Sequence, residues 1–216
     1  MHGWGFDAGF WQPLAALLDD CRAVSDDRGY FGPPHEPAIA EDCLVVAHSF
    51  GAMRALAAPP PHCRGMVAIN GFDRFVPAVP RRVLDRMIAR LQTAPSQVLA
   101  DFRRRCGDDT TVATPVPRRL HEDLVIMRDG DFSTRELLPP GSSPLAGESQ
   151  VGHPPFPILS LQAANDPLLP QSLRDGAFAG AARVERRVHP AGGHWLPVSE
   201  APYCARAIRD FMERLA

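Results

Sequence analysis

The sequence predicts an α/β fold, a mostly parallel sheet with a helical insertion between two of its strands. Three observations carry that prediction. Short, nearly continuous apolar runs recur at residues 43–47, 65–69 and 157–161, and such runs fit strands buried on both faces of a parallel sheet. Helical patterns separate them, the alternation that strand–helix–strand units produce. From Phe72 to Gly152 there is no convincing strand, and apolar residues recur instead at helical spacing.

Taken in order, Pro13 opens a first helix running to Leu18, since a missing N–H does no harm in a first turn. The run at 43–47 is the first strong strand, and a helix at 51–58 follows it directly. The second strand is 65–69. Inside the insertion, Val83, Leu84, Met87, Ile88 and Leu91 form one helical stripe. Ser96 stands where it would cap a second helix carrying Val98, Leu99 and Phe102. The stretch 139–157 is rich in Pro, Gly and Ser and reads as a loose return to the sheet strand that follows it. From Ala182 to Val188 apolar and charged residues alternate, as near a sheet edge. The last helix, 202–215, sets Cys204, Ala207, Ile208, Phe211 and Leu215 on one face. The organisation is therefore a core of residues 1–71 and 153–216, with a helical cap at 72–152.

Composition narrows the function. The 216 residues leave room for one sizeable core, and 45% apolar with 22% charged residues argues against disorder. A net charge of -2 speaks against a general nucleic-acid binder. No apolar run approaches the roughly 20 residues of a membrane helix, and no signal peptide opens the chain. Five scattered cysteines (Cys21, Cys43, Cys63, Cys106 and Cys204) form no CxxC pair. That spacing excludes a zinc ribbon and points to the reducing cytoplasm. His35, His62, His121, His153 and His189 lack partners at ligand spacing, so no metal is expected. Without a G-x-G-x-x-G or Walker-type loop, no nucleotide cofactor is expected either.

The segment Ala47-His48-Ser49-Phe50-Gly51 runs from a strand through a serine into a helix. It is a variant of the G-x-S-x-G nucleophile elbow, with Ala47 in the first position. Small residues are needed there because the turn is sharp and its flanking backbones crowd each other. A serine before a helix is otherwise simply a cap. Two later segments favour the elbow. Ala164-Asn165-Asp166-Pro167 follows a strand and presents an aspartate in a turn, while Gly192-Gly193-His194 follows the alternating strand. The order Ser49, Asp166, His194 is that of a nucleophile, orienter and base on this kind of sheet. Serine is a poor nucleophile until an imidazole removes its proton, and a carboxylate holds that imidazole in the useful tautomer. Taken singly, Asp166 also suits an Asx turn and His194 a surface loop. The opening Met1-His2-Gly3-Trp4-Gly5 is a glycine loop able to offer a backbone N–H to an oxyanion. The two donors would be the N–H groups of Trp4 and Phe50. His2 and His48 read as packing residues of the loop and the turn.

These segments together resemble the α/β-hydrolase superfamily. Within it, His2-Gly3-Trp4-Gly5, Phe10-Trp11, Ala68-Ile69-Asn70-Gly71, residues 98–103 and residues 129–138 resemble the pimeloyl-acyl-carrier-protein methyl ester carboxylesterases of biotin synthesis. Residues 26–32 resemble the superfamily's loop after the strand that follows the oxyanion loop. The resemblance implies an enzyme that removes a methyl group from a pimeloyl chain borne on acyl carrier protein. Ser49 would be its nucleophile, His194 its base and Asp166 its orienter. Trp4 and Phe50 would bind the oxyanion, and Phe102 would line the acyl channel. In that family a strand precedes the His-Gly-Trp segment and lies beside the nucleophile strand. Here the chain opens at Met1, so the sheet is expected to lack its first strands and to have open edges, and the chain to start short of its natural N-terminus.

Charge adds a partner. Residues 72–128 hold 11 Arg against 7 acidic residues, whereas the rest holds 12 Arg against 18. A basic cap on an acidic body would attract an acidic partner such as acyl carrier protein, through Arg81, Arg82, Arg86, Arg90 and Arg103 to Arg105. The competing reading is a solvated helix face paired with Asp85 and Asp101. A serine nucleophile sets the chain apart from dehalogenases and epoxide hydrolases of this superfamily, which use aspartate. Hydrolysis of small esters or of carbon–carbon bonds, and a non-catalytic binding protein on the same fold, remain the alternatives.

Overall fold

The computed structural model describes residues 1–39, 41–111, 113–133 and 156–215. Four strands, β1 (Cys43–His48), β2 (Cys63–Ile69), β3 (Ile158–Ala163) and β4 (Val184–His189), form one parallel sheet in the order β1-β2-β3-β4. The two interior strands are apolar runs, and all six residues of β3 are buried. Their side chains alternate between two helical layers. Val67, Ile69, Leu159 and Leu161 share a core with Phe10, Leu14, Ile208 and Phe211. On the opposite face, Met66, Ala68 and Ile158 join Val45 and Ala47 against Ala52, Ala55 and Phe178.

Connections follow from local sequence. Asp7 accepts a hydrogen bond from the Gly9 N–H at 2.8 Å, so the chain already turns at Ala8. The predicted first helix is accordingly a 3-10 turn over Ala8–Trp11 followed by a short α1 (Gln12–Ala15), shifted toward the N-terminus. Helix α2 (Phe50–Ala57) leads from β1 to β2. Among the described residues three helices stand between β2 and β3, as the missing strand pattern predicted: α3 (Arg81–Leu91), α4 (Pro95–Cys106) and α5 (Pro117–Asp129). Ser96 does not cap α4. Pro95 has φ pre-set for a first helical turn, so the helix starts two residues early and Ala94 takes the cap position without a side-chain bond. An isolated bridge between Arg74 and Asp131, with Phe132 N–H bonded to Asp73 O at 2.9 Å, brings the two ends of this segment together. The predicted loose return at 139–157 lies mostly outside the described residues.

Helix α6 (Gln171–Gly176) precedes β4, and α7 (Leu196–Ser199) and α8 (Ala201–Glu213) close the chain. Helix α8 approaches β2 closely at Gly65, where an added Cβ would stand 2.8 Å from Leu215. Strand β4 is a sheet edge, as predicted, but Val188 is 60% exposed. The alternation identified two faces; at an edge strand it does not say which of them stays covered. Glu185 and Arg187 instead hold α8, through Arg214 and Asp210.

The other edge is β1. Met1 takes one ladder position on it: its amino group donates to Val46 O at 2.6 Å, and its carbonyl accepts from His48 N–H at 3.0 Å. The segment ahead of Asp26 has no strand, and an isolated Asp27–His35 bridge follows it. Among the described residues no helix is long and apolar enough to cross a membrane.

Candidate active site

Ser49, Asp166 and His194 each follow a strand at its carboxyl end, where open parallel sheets present their loops. Ser49 sits between β1 and α2 with φ 52° and ψ -126°, a conformation that few L residues adopt. Close packing enforces it. A Cβ on Gly51 would fall 2.8 Å from His2 O, and one on Gly3 would fall 3.1 Å from the Ser49 Cβ. The opening loop therefore lies directly against the serine.

The three side chains meet. His194 Nε2 lies 3.0 Å from Ser49 Oγ, and His194 Nδ1 lies 2.7 Å from Asp166 Oδ2. A carboxylate only accepts, so Nδ1 carries the proton and Nε2 is left to accept from the serine hydroxyl. Asp166 Oδ1 accepts from Leu168 N–H at 2.8 Å and Leu169 N–H at 3.1 Å. The Asx turn and the His194 contact thus coexist, one on each oxygen. All three residues are buried, at 5%, 7% and 1% exposure for Ser49, Asp166 and His194.

Trp4 and Phe50, expected to bind an oxyanion through their backbone N–H groups, have buried side chains. Phe50 opens α2, and its N–H has no carbonyl four residues back within the helix. Trp4 is held by its indole, which donates to Leu120 O of α5 at 2.9 Å. Phe102 stands edge-on to Trp4 at 4.8 Å and to His194 at 6.5 Å, between loop and base. His2 packs the loop from behind: its Nε2 accepts from Arg28 N–H at 3.0 Å, so its Nδ1 donates to Gly3 O at 2.9 Å.

No protein-family model and no curated protein sequence matches the chain. Solved structures do match. A thermophilic esterase from Thermogutta terrifontis superposes with TM-score 0.73 at 17% identity, over 99% of this chain and 88% of its own. An esterase from Exiguobacterium antarcticum gives 0.75 at 13%, over 99% and 90%. An epoxide hydrolase from Bacillus megaterium gives 0.65 at 14%, over 98% and 91%. The fold is that of the α/β-hydrolases. Because esterases and an epoxide hydrolase share it, the fold leaves the reaction open and the side chains must decide it.

On this α/β-hydrolase scaffold two residues matter that the sequence singled out for no role at the base. His48 is fully buried and stacked on Phe10 at 4.6 Å, and its Nε2 donates to His194 O at 2.8 Å. Burial, with His194 nearby, holds its pKa well below the usual imidazole value, so the ring is neutral. Asn70, at the end of β2, reaches the same carbonyl. The signal for Asn70 was the Asn-Gly pair closing a strand, which reads as an ordinary turn.

The basic surface is narrower than its sequence suggests. Arg81 pairs with Asp129, Arg90 and Arg104 with Asp101, and Arg103 with the buried Asp108. Among the described residues Arg82, Arg86 and Arg105 are exposed and pair with no carboxylate. No group of three or more metal-ligating side chains occurs among the described residues.

Proposed function

We propose that the chain is a serine hydrolase of carboxylic esters. The observation that carries this reading is the Ser49–His194–Asp166 chain of contacts, 3.0 and 2.7 Å long, on a strained turn. Ser49 Oγ attacks the ester carbonyl while His194 Nε2 takes its proton, and Asp166 stabilises the imidazolium through Nδ1. The Trp4 and Phe50 N–H groups receive the developing oxyanion. His194 returns the proton to the departing alcohol. Water, deprotonated in turn by His194, then releases the acid and restores Ser49.

The substrate we assign is the methyl ester of a pimeloyl chain on acyl carrier protein, as in biotin synthesis, with methanol as leaving group and Phe102 along the acyl channel. Supporting it are the sequence resemblance and the exposed Arg82, Arg86 and Arg105, which suit an acidic carrier and its phosphate linker. Five free cysteines suit a cytoplasmic location.

Hydrolysis of p-nitrophenyl butyrate by the chain and by Ser49→Ala tests the chemistry. The variant is expected to lose about 1,000-fold or more in rate, and to lose labelling by a fluorophosphonate. Equal rates would remove the serine mechanism. The combined variant Arg82→Glu, Arg86→Glu and Arg105→Glu then tests the carrier. Turnover of carrier-linked methyl ester is expected to fall about tenfold or more while the free ester is unaffected, and equal effects on both would remove the carrier from the reading.

A further inference from the structure

We infer that Asn70, with His48 beside it, positions the proposed general base by tying the backbone of His194 to the strand that presents Asp166. The inference rests on the hydrolase reading and adds to it two residues outside the Ser–His–Asp set.

His194 follows two glycines, Gly192 with φ 79° and Gly193, so no side chain in that stretch anchors the ring. The fixing contacts come from elsewhere. Asn70 Nδ2 donates to Gly193 O at 2.9 Å and to His194 O at 3.1 Å. His48 Nε2 donates to the same His194 O at 2.8 Å. On its other side Asn70 Oδ1 accepts from Ala163 N–H at 2.8 Å, the last residue of β3 and three before Asp166. One amide thus spans both loops whose side chains must meet at 2.7 Å.

Asn70 is built for this. It is fully buried, and its backbone adopts φ 46°, a left-handed conformation that asparagine tolerates better than most residues. Its own N–H is held by Leu161 O at 2.8 Å, fixing the side chain to the sheet. Phe10 packs flat on His48, which fixes the second donor. Both donors act on the main chain of His194 and touch neither the serine nor the reacting ester, so these are positioning residues. A shift of about 1 Å in the base is enough to cost on the order of 100-fold in rate.

Two substitutions separate the side chain's role from the backbone's. Asn70→Gly accepts the left-handed backbone without the amide, and Asn70→Asp keeps shape and the Oδ1 acceptor while removing both donors. Each is assayed on p-nitrophenyl butyrate beside wild type and Ser49→Ala, with circular dichroism to measure the folded fraction. In parallel, proton NMR follows the downfield Nδ1 proton of His194, which reads the Asp166 contact without turnover. The expected result is a fall in kcat on the order of 100-fold, KM within about threefold, and loss or displacement of the downfield proton in folded protein. The inference is overturned if either folded variant keeps kcat within about threefold and the proton in place. It is equally overturned if activity falls only in step with the folded fraction, since Asn70 is then structural. Wild type without turnover defeats the hydrolase reading instead, and the downfield proton still decides whether Asn70 sets the geometry of His194.

Discussion

Position 51 has no room for a side chain. An added Cβ would lie 2.4 Å from Met1 O and 2.8 Å from His2 O, both backbone atoms that cannot swing aside. Gly51→Ala must therefore push the opening loop away from α2, at a cost of about 1–3 kcal/mol for overpacking, and displace the loop that lies against Ser49. A melting temperature lower by several degrees and a larger loss of esterase activity are expected. A variant melting within a degree of wild type would show that the turn has slack. The need for a small residue here was legible from the spacing around Ser49. The matching need at Gly3, where an added Cβ would stand 2.8 Å from His48 Nδ1, was not, because its neighbour lies far away in the chain.

Among the elements, the helices between β2 and β3 hold the opening loop in place. The Trp4 indole bonds α5, and a Cβ on Gly5 would meet Leu99 of α4 at 2.6 Å. Asp123 of α5, fully buried, takes both Arg28 (2.6 and 2.8 Å) and the Tyr30 hydroxyl (2.6 Å) from the segment behind the loop. Trp4→Phe keeps most of the packing but removes the indole donor to Leu120 O, a carbonyl inside α5, which is expected to cost about 0.5–1.5 kcal/mol in urea unfolding. The backbone N–H at position 4 survives this change, so kcat reports whether the indole bond keeps the opening loop in register: kcat should fall while KM holds. An unchanged kcat with the predicted stability loss would confine the indole to a structural role. The amphipathic stripes of α3 and α4 were legible in sequence, but the contacts of α5 with the loop were not, since Trp4 and Leu120 reveal nothing of each other until the chain is folded.

For the molecule as a whole, two buried histidines make stability depend on pH. Burial lowers the pKa of His2, despite the Gly3 carbonyl, and lowers that of His48 further, with His194 as a second cause. Both rings therefore gain protons more readily in the unfolded chain than in the fold. Their contribution is complete above the ordinary imidazole value near 6.5 and is lost as the pH falls below it toward their depressed native values. Each withdraws up to about 1.4 kcal/mol per pH unit in that window. The melting temperature should fall between pH 7.5 and 5.5 with proton uptake on unfolding, and a flat profile would rule this out. The asymmetry of charge along the chain, basic in residues 72–128 and acidic elsewhere, was a property of sequence. Which arginines stay free was not, since the pairings of Arg81 with Asp129 and of Arg90 with Asp101 join separate helices.

The sequence by itself determined the fold class, the order of strands and helices, and the three side chains that meet at the carboxyl end of the sheet. These are written in short-range patterns: apolar runs of strand length, helical stripes, and a serine, an aspartate and a histidine each placed just after a strand. Only the tertiary structure decided the rest. It set Met1 on the edge of β1, left Val188 exposed, paired most of the helix arginines, and brought Asn70 and His48 onto the carbonyl of His194. Most of these depend on a group that no local pattern of residues identifies. Backbone carbonyls are the same at every position, so no residue pattern announces which of them a buried side chain will find.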